Sequence, residues 1–190
     1  MTIRKAKLKD RKQVAKLMYL AMHDIAESLT GEKEQRLVLE GLEELFVLKG
    51  NRLNLENCLV KCVDGKVVGV LVAYHGSQAK SLDLPIQERL MKKLGINIEI
   101  DTEADLVDYY IDTLSVFPEN SGKGYGTELL QQAFHIAKEH NYPTVSLNAE
   151  TENSSAIRLY NRLGFTTKKI IQINGSDYYY MVKEIKTLSE

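Results

Sequence analysis

The chain contains only two cysteines, Cys58 and Cys62, too few for a disulfide framework or a zinc site. Three residues separate them inside a predicted strand, so both face the same side. Free cysteine is readily buried, and both are read as reduced core residues. Neither sign of charge dominates. The formal net charge of −1 excludes the electrostatic footprint of a nucleic-acid or anionic-membrane binder. No apolar run approaches the roughly 20 residues that span a bilayer, and no signal-peptide core follows Met1, Thr2 and Ile3. The expectation is a cytoplasmic protein with no bound metal. Repeats, low-complexity tracts and linkers are also missing, so residues 1–190 are expected to form a single domain with a sizeable core.

What the chain does carry is periodic. Ile3 to Ala6 reads as a strand, and Val14, Leu17, Met18, Ala21, Met22 and Ile25 mark one stripe of a helix from Arg11 to Ile25. Asp10 and Gln13 resemble a capping pair at its start. A second helix is expected from Glu34 to Lys49, stopped by Gly50. Cys58 to Val63 and Val67 to Tyr74 flank Asp64-Gly65, a strong hairpin signal. Residues 75–108 are an insertion between the third and fourth strands. Within it Pro85, Ile86, Leu90, Leu94 and Gly95 describe a short helix that starts at the proline. Tyr109 to Val116 is a central strand, Gly126 to His140 a helix, Thr144 to Ala149 a strand, and Ser154 to Leu163 a helix capped by Asn153 and ended by Gly164. Phe165 to Ile173 and Tyr178 to Ile185 pair across Asn174-Gly175, and the tail after Ile185 is expected to fray.

The strongest local signal joins the central strand to its helix. The apolar run ends at Phe117 and Pro118, and Gly122, Gly124 and Gly126 then alternate before the helical pattern begins. Glycines let backbone amides come close to a ligand, and the helix start adds unpaired N–H groups and partial positive charge. The natural guest is a phosphate or pyrophosphate. The same spacing also serves a tight turn that binds nothing. The loop lacks the Gly-Lys-Ser/Thr ending of a nucleotide-binding P-loop, and there is no dinucleotide fingerprint.

Downstream, Asn153, Ala156, Tyr160, Gly164 and Phe165 stand in a second spaced pattern. Together with the loop it resembles the GNAT superfamily, the GCN5-related N-acetyltransferases. The first motif of that family reads Arg or Gln, two residues, Gly, one residue, Gly or Ala. The second reads Asn, two residues, Ala, three residues, Tyr, three residues, Gly-Phe. Ser121 departs from the Arg/Gln position, which puts a side-chain contribution there in doubt. The resemblance is specific from about Tyr109 to Phe165. It implies an α/β (α+β) fold with a mixed, mostly antiparallel central sheet and helices on both faces. It also implies transfer of an acetyl group from acetyl-CoA, as co-substrate, to a primary amine by direct attack.

The resemblance places the CoA diphosphate on the amides of Ser121, Gly122, Lys123, Gly124, Tyr125, Gly126 and Thr127, with Lys123 a charge partner. It places the pantetheine arm along Leu114, Ser115 and Val116, where an amide could polarise the thioester oxygen. Asn153 and Tyr160 are seven residues apart, two helical turns, and so share a helix face. The resemblance assigns Asn153 a contact with CoA and Tyr160 the role of general acid for the CoA thiolate. Tyr160 also suits plain packing on Ala156 and Leu163. For the general base, Asp112 is the first candidate, because a carboxylate interrupting an apolar strand is costly unless it faces a cleft or has partners. Glu103, Glu150 and His75 are weaker ones. The acceptor is a small-molecule or peptide amine, toward which Asp101, Glu103, Asp105 and Asp108 could draw a cation. A catalytically silent acyl-CoA-binding sensor or scaffold is the alternative, and both a monomer and a homodimer stay open.

Overall fold

The computed structural model describes residues 1–186, and these form seven strands and six α-helices. β1 (Thr2–Lys5) leads into three helices, α1 (Arg11–Met22), α2 (Asp24–Thr30) and α3 (Gln35–Val47). The hairpin of β2 (Cys58–Val63) and β3 (Lys66–His75) follows, and α4 (Ala79–Leu94) precedes β4 (Asp108–Val116). Then come α5 (Tyr125–Glu139), β5 (Thr144–Glu150), α6 (Ser154–Arg162), β6 (Thr166–Ile173) and β7 (Ser176–Glu184). All strands share one sheet in the order β1-β2-β3-β4-β5-β7-β6. Every neighbouring pair is antiparallel except β4–β5. Parallel neighbours need a crossover, and α5 provides it. The mixed, mostly antiparallel sheet with helices on both faces is the architecture the sequence implied.

Strand periodicity builds both faces. Cys58, Val60, Val70 and Val72 point to one side, where they meet Leu17 and Met18 of α1, Leu42 and Phe46 of α3, and Ile86 and Leu90 of α4. Leu59, Leu71, Ile111 and Leu147 point to the other, against Leu129, Leu130, Ala133 and Ala137 of α5. Each of these fully buried aliphatic side chains contributes about 1.5–3 kcal/mol. Cys58 and Cys62 are unpaired and buried in the first core, as their spacing indicates. Both hairpins turn where expected: Asp64 and Gly65 have φ of 48° and 77°, Asn174 and Gly175 of 49° and 80°.

Three local expectations are corrected. The first helix does not run to Ile25, because His23 breaks it at φ 39° and a separate α2 begins at Asp24. Asp10 stands at the N-cap of α1, as expected, but its side chain makes no capping bond. Its carboxylate accepts instead from Arg4 at 2.7 and 2.9 Å and from the Lys7 amide at 2.8 Å. α4 starts at Ala79, and Pro85 lies inside it. Proline removes one helical amide, but Ile86 and Leu90 are fully buried, and that packing outweighs the local break. Gly95 ends α4 with φ 72°, as the sequence suggested. The fraying expected after Ile185 falls mostly on residues 187–190, outside the described residues.

The insertion then folds back onto the sheet. Ile98 and Ile100 pack on the first core, and Ala104 packs with Tyr74 and Tyr110. At Gly76 the two chain segments approach so closely that a Cβ would lie 1.9 Å from the Asp105 carbonyl oxygen. Only glycine fits there.

Candidate active site

β4 and β5 pair over four residues only, from Asp108↔Thr144 to Ile111↔Leu147. Beyond Ile111 the two strands part, while β5 stays paired with β7 as far as Glu150. The β5-facing edge of Asp112–Val116 therefore presents backbone groups without a strand partner. A bulge drives the parting. On the β3 side Val72 pairs with Thr113 and Ala73 with Ile111, leaving Asp112 as the extra residue. Bulges bend and twist a strand and re-aim its side chains.

The gap opens into a cleft of about 350 Å³. β4 contributes Asp112 and Leu114 to Val116, β5 contributes Asn148 to Glu150, and α6 contributes Asn153, Ala156 and Tyr160. It is also lined by Met22 at the end of α1, by His23 just after it, and by Ile173 and Tyr178 of the last hairpin. Glu103, from the insertion, lines it too. The structure thus gathers Asp112, Leu114, Ser115, Val116, Asn153 and Tyr160 into one cavity.

Ser121 to Thr127 are not among the lining residues but stand beside its β4 end. A Cβ on Gly126 would touch Leu114 and Val116 at 4.0 Å. Gly122 and Gly124 hold φ of 74° and 81°, with open space where a Cβ would project. Glycine is required there by backbone conformation rather than by crowding within the chain. Gly124 occupies the N-cap of α5 and no side chain caps it, so the first amides of that helix lack side-chain partners. Tyr125 is buried behind them, and Lys123 is exposed, its Nζ 3.2 Å from the Glu119 carbonyl.

Asn153 caps α6. Its Oδ1 accepts from the Ala156 amide at 3.1 Å and from the Ser155 hydroxyl at 3.0 Å. Tyr160 is half-buried, with its ring edge-on to Phe165 at 5.9 Å between centroids. Burial pushes its hydroxyl up to about 12, which keeps it protonated at neutral pH.

Asp112 lines the cleft, but its carboxylate is taken up inside the protein. Oδ2 accepts from Arg52 Nε at 2.6 Å and from the Tyr74 hydroxyl at 3.0 Å, and lies 2.5 Å from a second Arg52 nitrogen. Oδ1 accepts from the Thr113 hydroxyl at 2.8 Å. The same guanidinium reaches Glu103 Oε1 at 2.7 Å and lies 3.6 Å from Asp83. Burial opposes the Arg52 charge, yet Asp112, Glu103 and their neighbours hold its pKa above the usual value. Burial pushes Asp83 up to about 6 and raises Glu103 as well, with Arg52 working in the opposite direction on both. Sequence reasoning missed Arg52, Tyr74 and Asp83. Arg52 lies in the α3–β2 loop, where no periodicity marks a residue as buried; the nearby Asn51 and Asn54, both buried and donating to the Leu45 and Phe46 carbonyls at the end of α3, hold that loop inward.

Of the remaining base candidates, Glu150 also lines the cleft, at an exposed position where it accepts from the Tyr178 hydroxyl at 3.3 Å. His75 bonds Ser77 at 2.8 Å and lies against Tyr142, away from the cleft lining. Of the acidic set expected to attract a cation, Glu103 lines the cleft and the other three are engaged elsewhere. Asp105 bridges Lys168 and Lys169, Asp101 accepts from the Asn174 amide, and Asp108 accepts from Tyr180 and Thr144.

Known proteins place this geometry. The crystal structure of an N-acetyltransferase from Staphylococcus aureus Mu50 superposes with a TM-score of 0.81 at 25% identity, over 96% of this chain and 100% of that one. An uncharacterized N-acetyltransferase of Methanocaldococcus jannaschii is 34% identical over 89 residues, 47% of this chain and 35% of that protein. N-alpha-acetyltransferase 30 of Schizosaccharomyces pombe is 32% identical over 73 residues, 37% of this chain and 49% of that protein. The chain thus spans between a third and a half of the length of these two relatives. The family model of the acetyltransferase (GNAT) family matches residues 19–165, and the chain belongs to that family.

Proposed function

We propose that the chain transfers an acetyl group from acetyl-CoA to a primary amine by direct attack of the amine on the thioester. The observation that carries this reading is the unpaired β4 edge, which opens beside the Tyr160 hydroxyl and leads back to the uncapped start of α5. The amides of Gly122 to Thr127 and the positive end of α5 suit a diphosphate, with Lys123 free to swing toward it. The edge amides and carbonyls of Leu114 to Val116 suit the amide-bearing pantetheine arm, which would complete the sheet edge that β5 leaves. An amide of that edge would polarise the thioester carbonyl. Asn153 fixes the start of α6 and so the direction of Tyr160.

Tyr160 is the general acid. As the C–S bond breaks, its proton passes to the sulfur, and the proton leaving the acylated nitrogen restores it. Such a group acts in the transition state. Tyr160→Phe is therefore expected to lower kcat by roughly tenfold to a few hundredfold with acetyl-CoA affinity unchanged. Steady-state kinetics beside calorimetry measures both; full activity would return Tyr160 to packing against Phe165.

The acceptor class is a small-molecule or peptide amine, and the likeness to N-alpha-acetyltransferase 30 puts peptide α-amines on the panel. Thiol release from acetyl-CoA, followed against peptides, amino acids, polyamines and aminoglycosides, tests the activity. Tight CoA binding without turnover of any amine would instead indicate a silent acyl-CoA-binding module.

A further inference from the structure

Three carboxylates, Asp83, Glu103 and Asp112, surround the single guanidinium of Arg52. They are not equivalent. Asp112 is the main counter-ion: its Oδ2 accepts from Arg52 Nε and from the Tyr74 hydroxyl and lies 2.5 Å from a second Arg52 nitrogen. Asp83 approaches no closer than 3.6 Å and is absent from the cleft lining. Glu103 pairs with Arg52 through Oε1 at 2.7 Å and accepts one hydrogen bond on Oε2, from the Tyr110 hydroxyl at 2.7 Å. A carboxylate has about four acceptor positions, so Glu103 keeps capacity that Asp112 Oδ2 has lost. It is also the one of the three that lines the cleft without being Arg52's main partner.

We propose that Glu103, carried in by residues 95–107, is the group that accepts the proton of the acceptor ammonium. This rests on the acetyltransferase reading above. It gives the insertion a catalytic purpose, and the chain builds the segment accordingly. The Asn148 amide donates to the Glu103 carbonyl at 3.0 Å, the Asp105 amide donates to the Tyr180 hydroxyl at 2.9 Å, and Gly76 admits the Asp105 carbonyl. The backbone from Glu103 to Asp105 is thereby fixed to β5, to β7 and to the turn after β3.

The step balances as follows. Glu103 takes one proton from the ammonium, and the neutral amine attacks the thioester carbon. The C–N bond forms, the C–S bond breaks, the second nitrogen proton reaches sulfur by way of Tyr160, and Glu103 releases its proton to solvent. Burial raises the Glu103 carboxyl above its ordinary range, with Arg52 and the Tyr110 hydroxyl opposing, and this brings its proton affinity closer to neutral pH. The charged and titratable groups facing it are Arg52 from the α3–β2 loop, Asp83 from α4, Tyr74 from β3, Tyr110 and Asp112 from β4, and Tyr178 from β7.

The test is the pH dependence of kcat/KM for the best amine of the panel, in wild type, Glu103→Gln and Tyr110→Phe, with CoA affinity measured in each. Wild-type activity is expected to rise with pH through one ionisation. Glu103→Gln is expected to lose that limb and about a hundredfold or more of activity near neutrality, with CoA affinity retained. Tyr110→Phe keeps the carboxylate but removes a donor that favours its charged form. It is expected to move the limb to higher pH by about half to one unit, a shift that loss of packing alone would not produce. A limb of unchanged position in both variants overturns the proposal. If Glu103→Gln does not fold, Tyr110→Phe decides by itself: a shifted limb supports Glu103 and an unmoved one overturns it. Failure of the acetyltransferase reading looks different, because wild type would then release no thiol with any amine.

Discussion

Gly124→Val should leave a folded protein that no longer binds CoA. At φ 81° the backbone of Gly124 lies in the left-handed region, where a β-branched residue is strained by about 1–2 kcal/mol. The loop would relax toward negative φ and turn the first amides of α5 away from their common focus. Several charge-assisted amide–phosphate bonds are lost together in the proposed complex. A loss of about 3–4 kcal/mol is expected, a few hundredfold in Kd. The fold should survive, because the loop is exposed and a Cβ at this position meets nothing within 4 Å. Calorimetry with CoA and a thermal melt together check both halves. Unchanged affinity in a folded variant would remove the diphosphate from this loop.

Arg52→Met should cost far more stability than its position in a loop suggests. The substitution roughly preserves volume but leaves Asp83, Glu103 and Asp112 without their shared cation. Breaking a buried ion pair from one side typically costs about 3–5 kcal/mol, a large part of an ordinary domain's 5–15 kcal/mol. The sign of the pH dependence follows from the carboxyls. In the native protein burial raises Asp83 to about 6 from 3.8, and raises Glu103 as well. Between the unfolded and folded values the native state holds more protons than the unfolded chain, so these groups lose stability as pH rises through that window. Removing Arg52 raises both carboxyls further. The deficit of the variant should therefore be largest above about pH 7 and shrink toward pH 5. Urea unfolding at the two pH values measures it. A deficit below about 1 kcal/mol, or one equal at both pH values, would show that Arg52 does not organise the cluster.

The two stabilities explain what could be read from sequence. Local rules set the hairpins at Asp64-Gly65 and Asn174-Gly175, the Asn153 cap and the Gly95 stop, and each appears where its own neighbours dictate. The glycine loop was legible for the same reason: Gly122 and Gly124 need positive φ whatever lies around them. Pro85 misled because burial of Ile86 and Leu90 is a tertiary term that a local helix signal does not contain. Arg52 was invisible because its partners lie 31, 51 and 60 positions away at Asp83, Glu103 and Asp112, and only the folded chain brings them together. Asp112 was noticed as a charge breaking an apolar strand, but the bulge that aims it, and the guanidinium it meets, belong to the pairing of β3 with β4. Glu103 carried no signal beyond its charge. It reaches the cleft because Gly76 lets the insertion return over the end of β3.

The most direct measurement is a crystal structure with bound CoA. The expected result places the diphosphate on the amides of Gly122 to Thr127, the pantetheine along the free edge of Leu114 to Val116, and the sulfur within hydrogen-bond reach of the Tyr160 hydroxyl, with Glu103 facing it across the cleft. CoA bound elsewhere, or a sulfur remote from Tyr160 with β4 and β5 still parted, would contradict the proposed site.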